Sequence, residues 1–394
     1  MDKYKYLIVG GGMAADAAAR AIHERDPQGS LAIFGRELDP PYTRPNLSKG
    51  LWKGKSVEKI FRHTQDTGAQ LHLGRIITEL DLDDKKARDD EGNWHGFDKL
   101  LIATGGTPRE LPFDVEGINY YRNLSDYRHL RAATENNDNF GVIGGGFIGS
   151  EISAALTMNG KKVTMLFPED GISARLFPAD LSHFLNDYYR QKGVEVLTGQ
   201  TVNGLSKEGG KYQISTKSGK VVEVGGVVAG LGILLNIDLA KNAGLKMDRA
   251  IEVDQHLRTS HPDVYAAGDV ATFYNHALSK WMTVEHEDNA LTMGQMAGAN
   301  MAGDSQIYEH LPYFYSDLFD LGYEAVGEFN PQGEVISDWK DPFQQGVVYY
   351  LREGRVRGVL LWNVWKMVPT ARELIAAKGP FTKKDLIGRI PFDS

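Results

Sequence analysis

Residues 6–23 read YLIVGGGMAADAAARAIH. Their first four side chains are typical of a buried strand, the three glycines that follow predict a tight turn, and the alanine-rich remainder favours a helix. Residues 140–158 read FGVIGGGFIGSEISAALTM and repeat this order in the middle of the chain. The sequence therefore predicts two modules that each begin with a strand, a glycine turn and a helix.

A further strand follows each predicted helix. These strands cover residues 31–34 and 162–167, at the distance that a crossover between parallel strands needs. The apolar stretch 100–105 precedes the second module, and a similar stretch, 264–269, follows it. We therefore expect one dinucleotide-binding domain of the Rossmann type to be inserted in another.

The character of the sequence changes after about residue 311. The aromatic-rich stretches 347–351 and 356–361 are typical of antiparallel strands, and residues 370–378 favour a closing helix. We predict an α/β fold with two Rossmann-like dinucleotide-binding domains, one inserted in the other, and a C-terminal α+β domain with an antiparallel sheet. The predicted boundaries are 1–110 and 238–310 for the first, discontinuous dinucleotide-binding domain, 111–237 for the inserted one, and 311–394 for the C-terminal domain.

The composition restricts the classes of function. The formal net charge of -8 opposes binding to nucleic acid or to an anionic membrane, and we expect no membrane insertion. The chain opens directly on an apolar strand without a signal sequence, so we predict a cytoplasmic protein. It contains no cysteine, which excludes disulfides, thiolate metal sites and thiol redox relays, and we expect no metal. The charged run 81–91 is interpreted as a solvated hairpin tip rather than a contact site.

The two glycine turns have the spacing of pyrophosphate-binding loops. They read Gly10-x-Gly12-x-x-Ala15 and Gly144-x-Gly146-x-x-Gly149, and each lies between a strand and a helix. Glycines at these positions let the backbone approach a pyrophosphate at the positive end of the helix. One such motif also occurs in ordinary tight turns, but two in matching settings predict that the chain binds two dinucleotides.

An acidic residue after the second strand of such a module accepts hydrogen bonds from the adenosine ribose. Glu37 is the candidate in the first module, where Arg36 directly before it is the alternative occupant of the position. Glu169 is the candidate in the second module, and its charge repels a 2'-phosphate. The sequence therefore favours NADH over NADPH. The alternative for either acid is an exposed loop carboxylate.

Four further motifs lie outside the glycine turns: PYTRPNLSK at 41–49, ATGG at 103–106, VYAAGD at 264–269 and VEHEDNA at 284–290. With them the chain resembles the FAD-dependent pyridine nucleotide-disulfide oxidoreductase superfamily over nearly its whole length. The resemblance is to the branch of the ferredoxin reductases and apoptosis-inducing factor. The stretches WN at 362–363 and PTAR at 369–372 resemble apoptosis-inducing factor in particular.

The resemblance implies that 1–110 and 238–310 form an FAD-binding domain, 111–237 an NAD-binding domain and 311–394 a dimerisation or interface domain. It also implies roles for single residues. It implies that Lys49 and Glu151 form a charged pair near the reactive nitrogen of the flavin. It also places Glu285 and His286 at a helix N-terminus that stabilises negative charge on the flavin, with simple helix capping as the alternative for His286. We predict these four residues as catalytic. The residues assigned to FAD are Gly10, Gly12, Ala14, Ala15, Glu37, Arg44, Lys49, Ala103, Thr104, Gly105, Arg122, Gly268, Asp269, Glu285, His286 and Tyr315. Those assigned to NAD are Gly144, Gly146, Phe147, Ile148, Gly149, Glu151, Glu169 and Gly232.

The implied function is that of an FAD-dependent oxidoreductase that takes hydride from NADH and passes electrons to an acceptor. Since this chain has no cysteine, a disulfide reductase or thiol peroxidase is excluded, and the expected acceptor is a small one-electron carrier such as ferredoxin or rubredoxin. The alternative is a redox-controlled interaction protein like apoptosis-inducing factor, with slow NADH oxidation, a stable charge-transfer complex and altered dimerisation. A homodimer is compatible with both.

Overall fold

The computed structural model describes residues 1–392, which divide into two compact units. The first unit consists of Met1–Arg44, Ser56–Thr107 and Leu234–Pro312. The second consists of Pro45–Lys55, Pro108–Ile233 and the chain from Tyr313 onward. The first unit is therefore interrupted by the second, as the insertion of one dinucleotide-binding domain in another requires. The three domain boundaries given above stay a prediction.

The strands are distributed along the whole chain. They are β1 Asp2–Val9, β2 Leu31–Gly35, β3 Gln70–Leu73, β4 Ile77–Asp81, β5 Lys86–Asp89, β6 Trp94–Ile102, β7 Gly106–Pro108, β8 Ile118–Asn119, β9 Asn139–Ile143, β10 Lys162–Leu166, β11 Val194–Leu197, β12 Val202–Glu208, β13 Lys211–Thr216, β14 Val221–Val224, β15 Gly226–Ala229, β16 Ile233–Leu235, β17 Ile251–Glu252, β18 Val264–Ala266, β19 Ala271–Asn275, β20 Lys280–Thr283, β21 Tyr313–Leu318, β22 Leu321–Gly327, β23 Glu334–Asp341, β24 Gln345–Arg352 and β25 Arg355–Trp362.

The helices are fewer. They are α1 Met13–Arg25, α2 Leu124–Asn136, α3 Phe147–Met158, α4 Ala179–Gln191, α5 Asp238–Asn242, α6 Glu287–Met301, α7 Val368–Ala376 and α8 Lys383–Leu386. Short 3-10 helices cover Arg44–Leu47, Gly50–Lys53, Val57–Ile60, Thr64–Thr67 and Gly268–Val270. None of the helices in residues 1–392 is long and apolar enough to cross a membrane.

The first unit is built on a sheet whose parallel part has the order β3-β2-β1-β6-β18. Strands β1 and β2 are buried over most of their length because helices and loops cover the sheet, as is usual for parallel sheets. Strands β5 and β4 extend the sheet beyond β6 as an antiparallel hairpin, which contains the charged run 81–91. The run therefore includes the predicted hairpin turn, but it continues through β5, where Ala87 and Asp89 are buried.

Helices α1 and α6 pack against each other beside this sheet, and small residues line their contact. Ala14 and Ala18 of α1 face Gly294 and Gly298 of α6, and a Cβ atom on either glycine would lie 2.3 Å from the backbone oxygen of the facing alanine. Backbones approach this closely where one partner has no side chain. The contact fixes α1, and with it the glycine turn that precedes α1.

The second unit contains a parallel sheet of order β11-β10-β9-β15-β8 and two antiparallel sheets. The smaller of these, β12-β13-β14, packs on the parallel sheet through a buried cluster that includes Ile143, Leu166 and Ile214. The larger has the order β21-β22-β25-β24-β23, and α7 packs on β22 and β25. The predicted α/β class and the C-terminal antiparallel sheet are confirmed.

A buried aromatic cluster lies on the larger antiparallel sheet. The rings of Tyr323 and Trp362 stack with centroids 5.8 Å apart, and the edge of Phe177 contacts both. All three side chains are almost wholly buried, and such aromatic pairs contribute beyond the area that they bury. This part of the sheet is therefore a rigid support for the neighbouring strand β21.

Candidate functional site

The first glycine turn joins β1 to α1. Gly10 has φ +122°, and a Cβ atom there would lie 2.1 Å from the oxygen of Ala103, so this position accepts glycine alone. Gly12 is the N-cap of α1, and nothing lies within 4 Å of the position that its Cβ would occupy. Ala14 and Ala15 follow in the first turn of the helix and are buried. The turn offers free backbone and open space at a helix N-terminus, which fits a dinucleotide pyrophosphate.

The second glycine turn joins β9 to α3 and repeats this geometry. Gly144 has φ +121°, and a Cβ atom there would lie 2.4 Å from the oxygen of Gly230. Gly146 is the N-cap of α3 and again has open space where a Cβ would point. Gly149 allows the helix to approach the turn, since its Cβ would lie 1.9 Å from the oxygen of Gly144. The two predicted dinucleotide turns are thus the same structure formed twice, and each fits its cofactor.

Charged residues of the first unit lie near one another after β2. The guanidinium Nη2 of Arg44 lies 2.7 Å from Oε1 of Glu37, and the hydroxyl of Tyr42 donates to Oε2 at 2.5 Å. Burial disfavours the charged guanidinium, but Tyr42, Glu37 and Asp269 together raise the pKa of Arg44 above its ordinary value. Arg44 is therefore a permanent cation near the predicted FAD residues Glu37 and Asp269.

The stretch ATGG is hydrogen-bonded to the segment between β16 and α5 within the first unit. The hydroxyl of Thr104 donates to the backbone oxygen of Asn236 at 2.7 Å, and the amide of Asn236 donates back to the oxygen of Thr104 at 3.0 Å. Gly105 has φ +63° and Gly268, directly before Asp269, has φ +77°. Both glycines adopt a backbone conformation that side chains rarely tolerate, so their turns are fixed by the sequence.

His286 is the N-cap of α6, but its side chain makes no capping hydrogen bond. The alternative in which the imidazole simply caps the helix therefore lacks its expected contact. The surrounding protein lowers the pKa of His286 to about 4, because burial outweighs the opposite influence of Asp269 and Asp288. The ring is neutral at physiological pH. Glu285, one residue earlier, is exposed and lies 3.3 Å from Nη2 of Arg249.

Lys49 and Glu151 form an ion pair inside the second unit. Nζ of Lys49 lies 2.6 Å from Oε1 of Glu151, and the two side chains are 13% and 5% exposed. The segment that carries Lys49 is anchored by Trp52, whose indole donates to the hydroxyl of Tyr121 at 3.1 Å and whose backbone oxygen accepts from Asn159. A buried ion pair held on both sides keeps one geometry, which is what orienting a reactant requires.

Glu169 lies in the loop after β10, as expected for an adenosine-binding acid. Its Oε1 is 2.7 Å from Nη2 of Arg175, a residue that is 87% exposed. Both line a pocket of about 480 Å³ that also includes residues 329–332 of the chain segment after β22. The carboxylate therefore has a neighbouring cation and a cavity of a size that suits a small ligand.

The remaining predicted residues lie mostly in the second unit. The exposed ring of Phe147 packs against Phe314 in a T-shaped arrangement, with the two ring centroids 5.3 Å apart. Gly232 has φ +82°, and nothing lies within 4 Å of the position that its Cβ would occupy. Ile148 packs against Gly230. Arg122 lies just before α2, where its backbone N–H donates to Asp126 at 2.8 Å. Tyr315 lies in β21 with Nζ of Lys49 5.2 Å from its ring centroid. The roles of Lys49, Arg122 and Tyr315 toward FAD stay predictions.

Comparison with known proteins decides the family. The model of the family described as pyridine nucleotide-disulphide oxidoreductase matches residues 4–294. The chain belongs to this family. A second model, described as the C-terminal part of mitochondrion-associated apoptosis-inducing factor, matches residues 329–377, which include β23, β24 and β25. The resemblance identified from the sequence motifs is therefore confirmed in both its parts.

Several named proteins are similar to this chain over almost its full length. The apoptosis-inducing factor 1 of Dictyostelium discoideum is 32% identical over 95% of this chain and 79% of its own length. Monodehydroascorbate reductase 3 of Arabidopsis thaliana is 34% identical over 91% of this chain and 89% of its own length. Among solved structures, putidaredoxin reductase in its covalent complex with putidaredoxin has a TM-score of 0.89 and 28% identity, covering 96% of this chain and 94% of its own.

The family and these relatives make the protein an NAD(P)H-dependent flavin oxidoreductase with FAD and a nicotinamide dinucleotide as its cofactors. A ferredoxin reductase from Rhodopseudomonas palustris is also similar, with a TM-score of 0.85 and 26% identity over 92% of this chain and 91% of its own. The predicted recognition and cofactors are confirmed. The assignment of single residues to either cofactor remains a prediction.

Two residues that contact the predicted catalytic pair were missed by the sequence analysis. The hydroxyls of Ser48 and Ser316 both donate to the carboxylate of Glu151, each at 2.5 Å. Ser48 precedes Lys49 in the motif PYTRPNLSK, but a serine in a loop carries no signal of its own. Ser316 is 165 residues from Glu151 in the sequence, so only the folded chain shows the contact.

Proposed function

We propose that the protein oxidises NADH and passes single electrons to a small one-electron carrier such as a ferredoxin or a rubredoxin. Bound FAD would supply the chemistry by accepting a hydride from NADH and releasing two single electrons. The observation that carries the proposal is the combination of two matching glycine turns with the buried Lys49–Glu151 pair in a chain without cysteine. Since the chain has no thiol to take up electrons, they leave for an external acceptor.

The relatives support a one-electron acceptor of either of two chemical classes. The similar putidaredoxin reductase was solved with a small redox protein, and the similar Rhodopseudomonas palustris protein is described as a ferredoxin reductase. The monodehydroascorbate reductases, at up to 34% identity, are named for a small organic radical. We propose the protein carrier first, and the organic radical as the second candidate.

Stopped-flow spectroscopy separates the two acceptors. The FAD-loaded protein is reduced with one equivalent of NADH, and its reoxidation is then followed with a ferredoxin, a rubredoxin or enzymatically generated monodehydroascorbate. We expect fast reoxidation by at least one protein carrier. Fast reoxidation by the organic radical with slow reoxidation by every carrier would transfer the proposal to the second candidate.

NADH preference is part of the proposal and rests on Glu169. An ionised Glu169 accepts from a ribose hydroxyl and repels a 2'-phosphate, while its ion pair with Arg175 occupies the cation that would bind such a phosphate. Glu169→Ala removes the repulsion and leaves Arg175 available. We expect the ratio of kcat/KM for NADH to kcat/KM for NADPH to fall by about tenfold or more. A tenfold change corresponds to roughly 1.4 kcal/mol in the difference between the two activation free energies.

Arg175→Ala is the matched partner of this variant. If Glu169 accepts a hydrogen bond from the ribose, Arg175→Ala should leave the preference for NADH unchanged. The double variant Glu169→Ala/Arg175→Ala should then lose the NADPH activity that Glu169→Ala gains. A wild-type protein that prefers NADPH in steady-state assays would contradict this part of the proposal.

A different role, which involves no fast turnover, is that of a redox-controlled interaction protein. The match of residues 329–377 to the C-terminal part of apoptosis-inducing factor favours it. It predicts slow oxidation of NADH with every acceptor and a change from monomer to homodimer on reduction. Analytical ultracentrifugation of the oxidised and the NADH-reduced protein, performed under anaerobic conditions, tests this.

Location in the cytoplasm remains part of the proposal.

A further inference from the structure

We propose that Ser316 and Ser48 are positioning residues for hydride transfer, which hold the carboxylate of Glu151 in the orientation that fixes Lys49. This inference rests on the proposed function, in which NADH reduces the bound flavin. It concerns hydroxyl groups of two chain segments that are remote from each other in the sequence, and it adds them to the Lys49–Glu151 pair.

Three donors contact the carboxylate of Glu151. Oε1 accepts from Nζ of Lys49 at 2.6 Å and from the hydroxyl of Ser316 at 2.5 Å, while Oε2 accepts from the hydroxyl of Ser48 at 2.5 Å. Glu151 is 5% exposed, so the donors that surround it are protein groups. The three donors come from two segments, Ser316 from β21 and both Ser48 and Lys49 from the loop before Gly50, while the acceptor Glu151 lies in α3.

A buried carboxylate needs such donors. Moving an ionised carboxyl group out of water is strongly unfavourable unless opposite charge and hydrogen bonds replace the lost water. Lys49 supplies the charge, and the two hydroxyls occupy further lone pairs on both oxygens. Because hydrogen bonds to a charged acceptor are short and directional, they fix the plane of the carboxylate as well as its position. The fixed carboxylate in turn restricts the position of the Lys49 ammonium group.

Ser316 is itself held in place. Ser316 of β21 lies directly opposite Tyr323 of β22 in the antiparallel pair, and burial raises the pKa of Tyr323 far above its ordinary value, so this phenol stays neutral. Tyr323 belongs to the rigid aromatic cluster with Trp362 and Phe177. A chain of contacts therefore runs from the C-terminal sheet through Tyr323 and Ser316 to Glu151.

The position of Ser316 also links it to the ring that contacts Lys49. Tyr315 is its neighbour in β21, and Nζ of Lys49 lies 5.2 Å from the centroid of the Tyr315 ring. The same strand thus supports the ammonium group through the Tyr315 ring and the carboxylate through the Ser316 hydroxyl. Loss of the Ser316 hydroxyl would leave the ion pair with one fewer fixed contact while the fold keeps its apolar packing.

The test measures single-turnover reduction of the FAD-loaded protein by NADH. In Ser316→Ala we expect the limiting rate of flavin reduction to fall about tenfold, because small misplacements of reacting groups have effects of this size or larger. The apparent dissociation constant of NADH should change by less than about twofold, since the pair is placed at the reacting end of the nicotinamide and not at the adenosine. Ser48→Ala should show the same split and serves as the second, independent variant.

Ser153→Ala is the matched control. Ser153 lies in the same helix as Glu151, is fully buried, and its hydroxyl has no hydrogen-bond partner among the described residues. Its removal should leave the rate unchanged. The background variant Glu151→Gln completes a double-mutant cycle: with the carboxylate gone, adding Ser316→Ala should slow reduction by less than about twofold further.

The outcomes distinguish this inference from the proposed function. Failure of NADH to reduce the flavin of the wild-type protein would overturn the proposed function. Fast wild-type reduction with unchanged rates in Ser316→Ala and Ser48→Ala would overturn only the role of the serines. The same holds if Ser316→Ala slows the Glu151→Gln protein by the full factor, because the serine would then act on the fold and not through the carboxylate.

Discussion

At the scale of single residues, the structure concentrates its chemistry on Glu151. Glu151→Gln keeps the shape of the side chain and removes its charge, so Lys49 loses its partner while packing is retained. We expect single-turnover reduction by NADH to slow by about a hundredfold at equal FAD content. Lys49→Ala should have a similar effect but also removes packing. Rates equal to wild type in both variants would show that the pair is structural.

His286 gives the protein a pH-dependent stability with a definite sign. Its pKa is about 4 in the folded protein and 6.5 ordinarily, so below pH 6.5 the unfolded chain takes up a proton that the folded chain does not. The stability contributed by this group is complete above pH 6.5 and is lost as the pH falls towards 4. Going from pH 7 to 5 should cost at most about 2 kcal/mol from this group.

Urea unfolding of wild type and His286→Gln at both pH values measures this contribution. The difference in unfolding free energy between pH 7 and pH 5 should be smaller in the variant. Equal pH dependence in the two proteins would mean that the imidazole has the same pKa in the folded and the unfolded protein.

The sequence predicted some of these residues and not others, for a physical reason. Lys49, Glu151 and His286 lie in local motifs, so a short stretch of chain was enough to single them out. The contact of Ser316 with Glu151 depends on how β21 packs near α3, and hydroxyl residues are too common to mark such a contact in advance.

At the scale of elements, the two glycine turns were predictable because their glycines are required by the backbone. Gly10 and Gly144 have φ angles of +122° and +121° and no room for a side chain, so the sequence must place glycine there in both modules. The attachment of residues 45–55 to the second unit was not predictable, since it depends on contacts such as that of Trp52 with Tyr121.

The packing of α1 on α6 yields a prediction about FAD binding. In Gly294→Ala or Gly298→Ala the new methyl group would meet the backbone of Ala14 or Ala18 at 2.3 Å, and overpacking of this kind costs about 1–3 kcal/mol. The helices must separate, and the shift is transmitted to the glycine turn that precedes α1. We expect weaker FAD retention together with a lower Tm.

Gln295→Ala is the control for this packing, since Gln295 is exposed on the same helix. FAD content after gel filtration and thermal unfolding measure both effects. Retention of FAD equal to wild type in Gly294→Ala, the variant nearer the turn, would show that α1 moves without disturbing the turn.

At the scale of the whole molecule, the absence of cysteine sets the number of electrons that the protein stores. The family is named for pyridine nucleotide and disulphide, yet this chain of 394 residues contains no thiol that could form a redox disulfide. The flavin is then the sole two-electron centre predicted for the loaded chain. Every electron pair that enters from NADH must leave before the next one enters.

An anaerobic titration tests this consequence. We expect one NADH per FAD to bleach the flavin absorbance completely, and we expect excess NADH to produce no further uptake of electrons. A disulfide reductase takes up two further electrons per subunit, because its dithiol and its flavin are both reduced. Treatment with iodoacetamide should leave NADH oxidation unchanged, since alkylation finds no thiolate in this chain. A requirement for two equivalents of NADH, or inactivation by the thiol reagent, would reveal a second redox centre that the sequence does not predict.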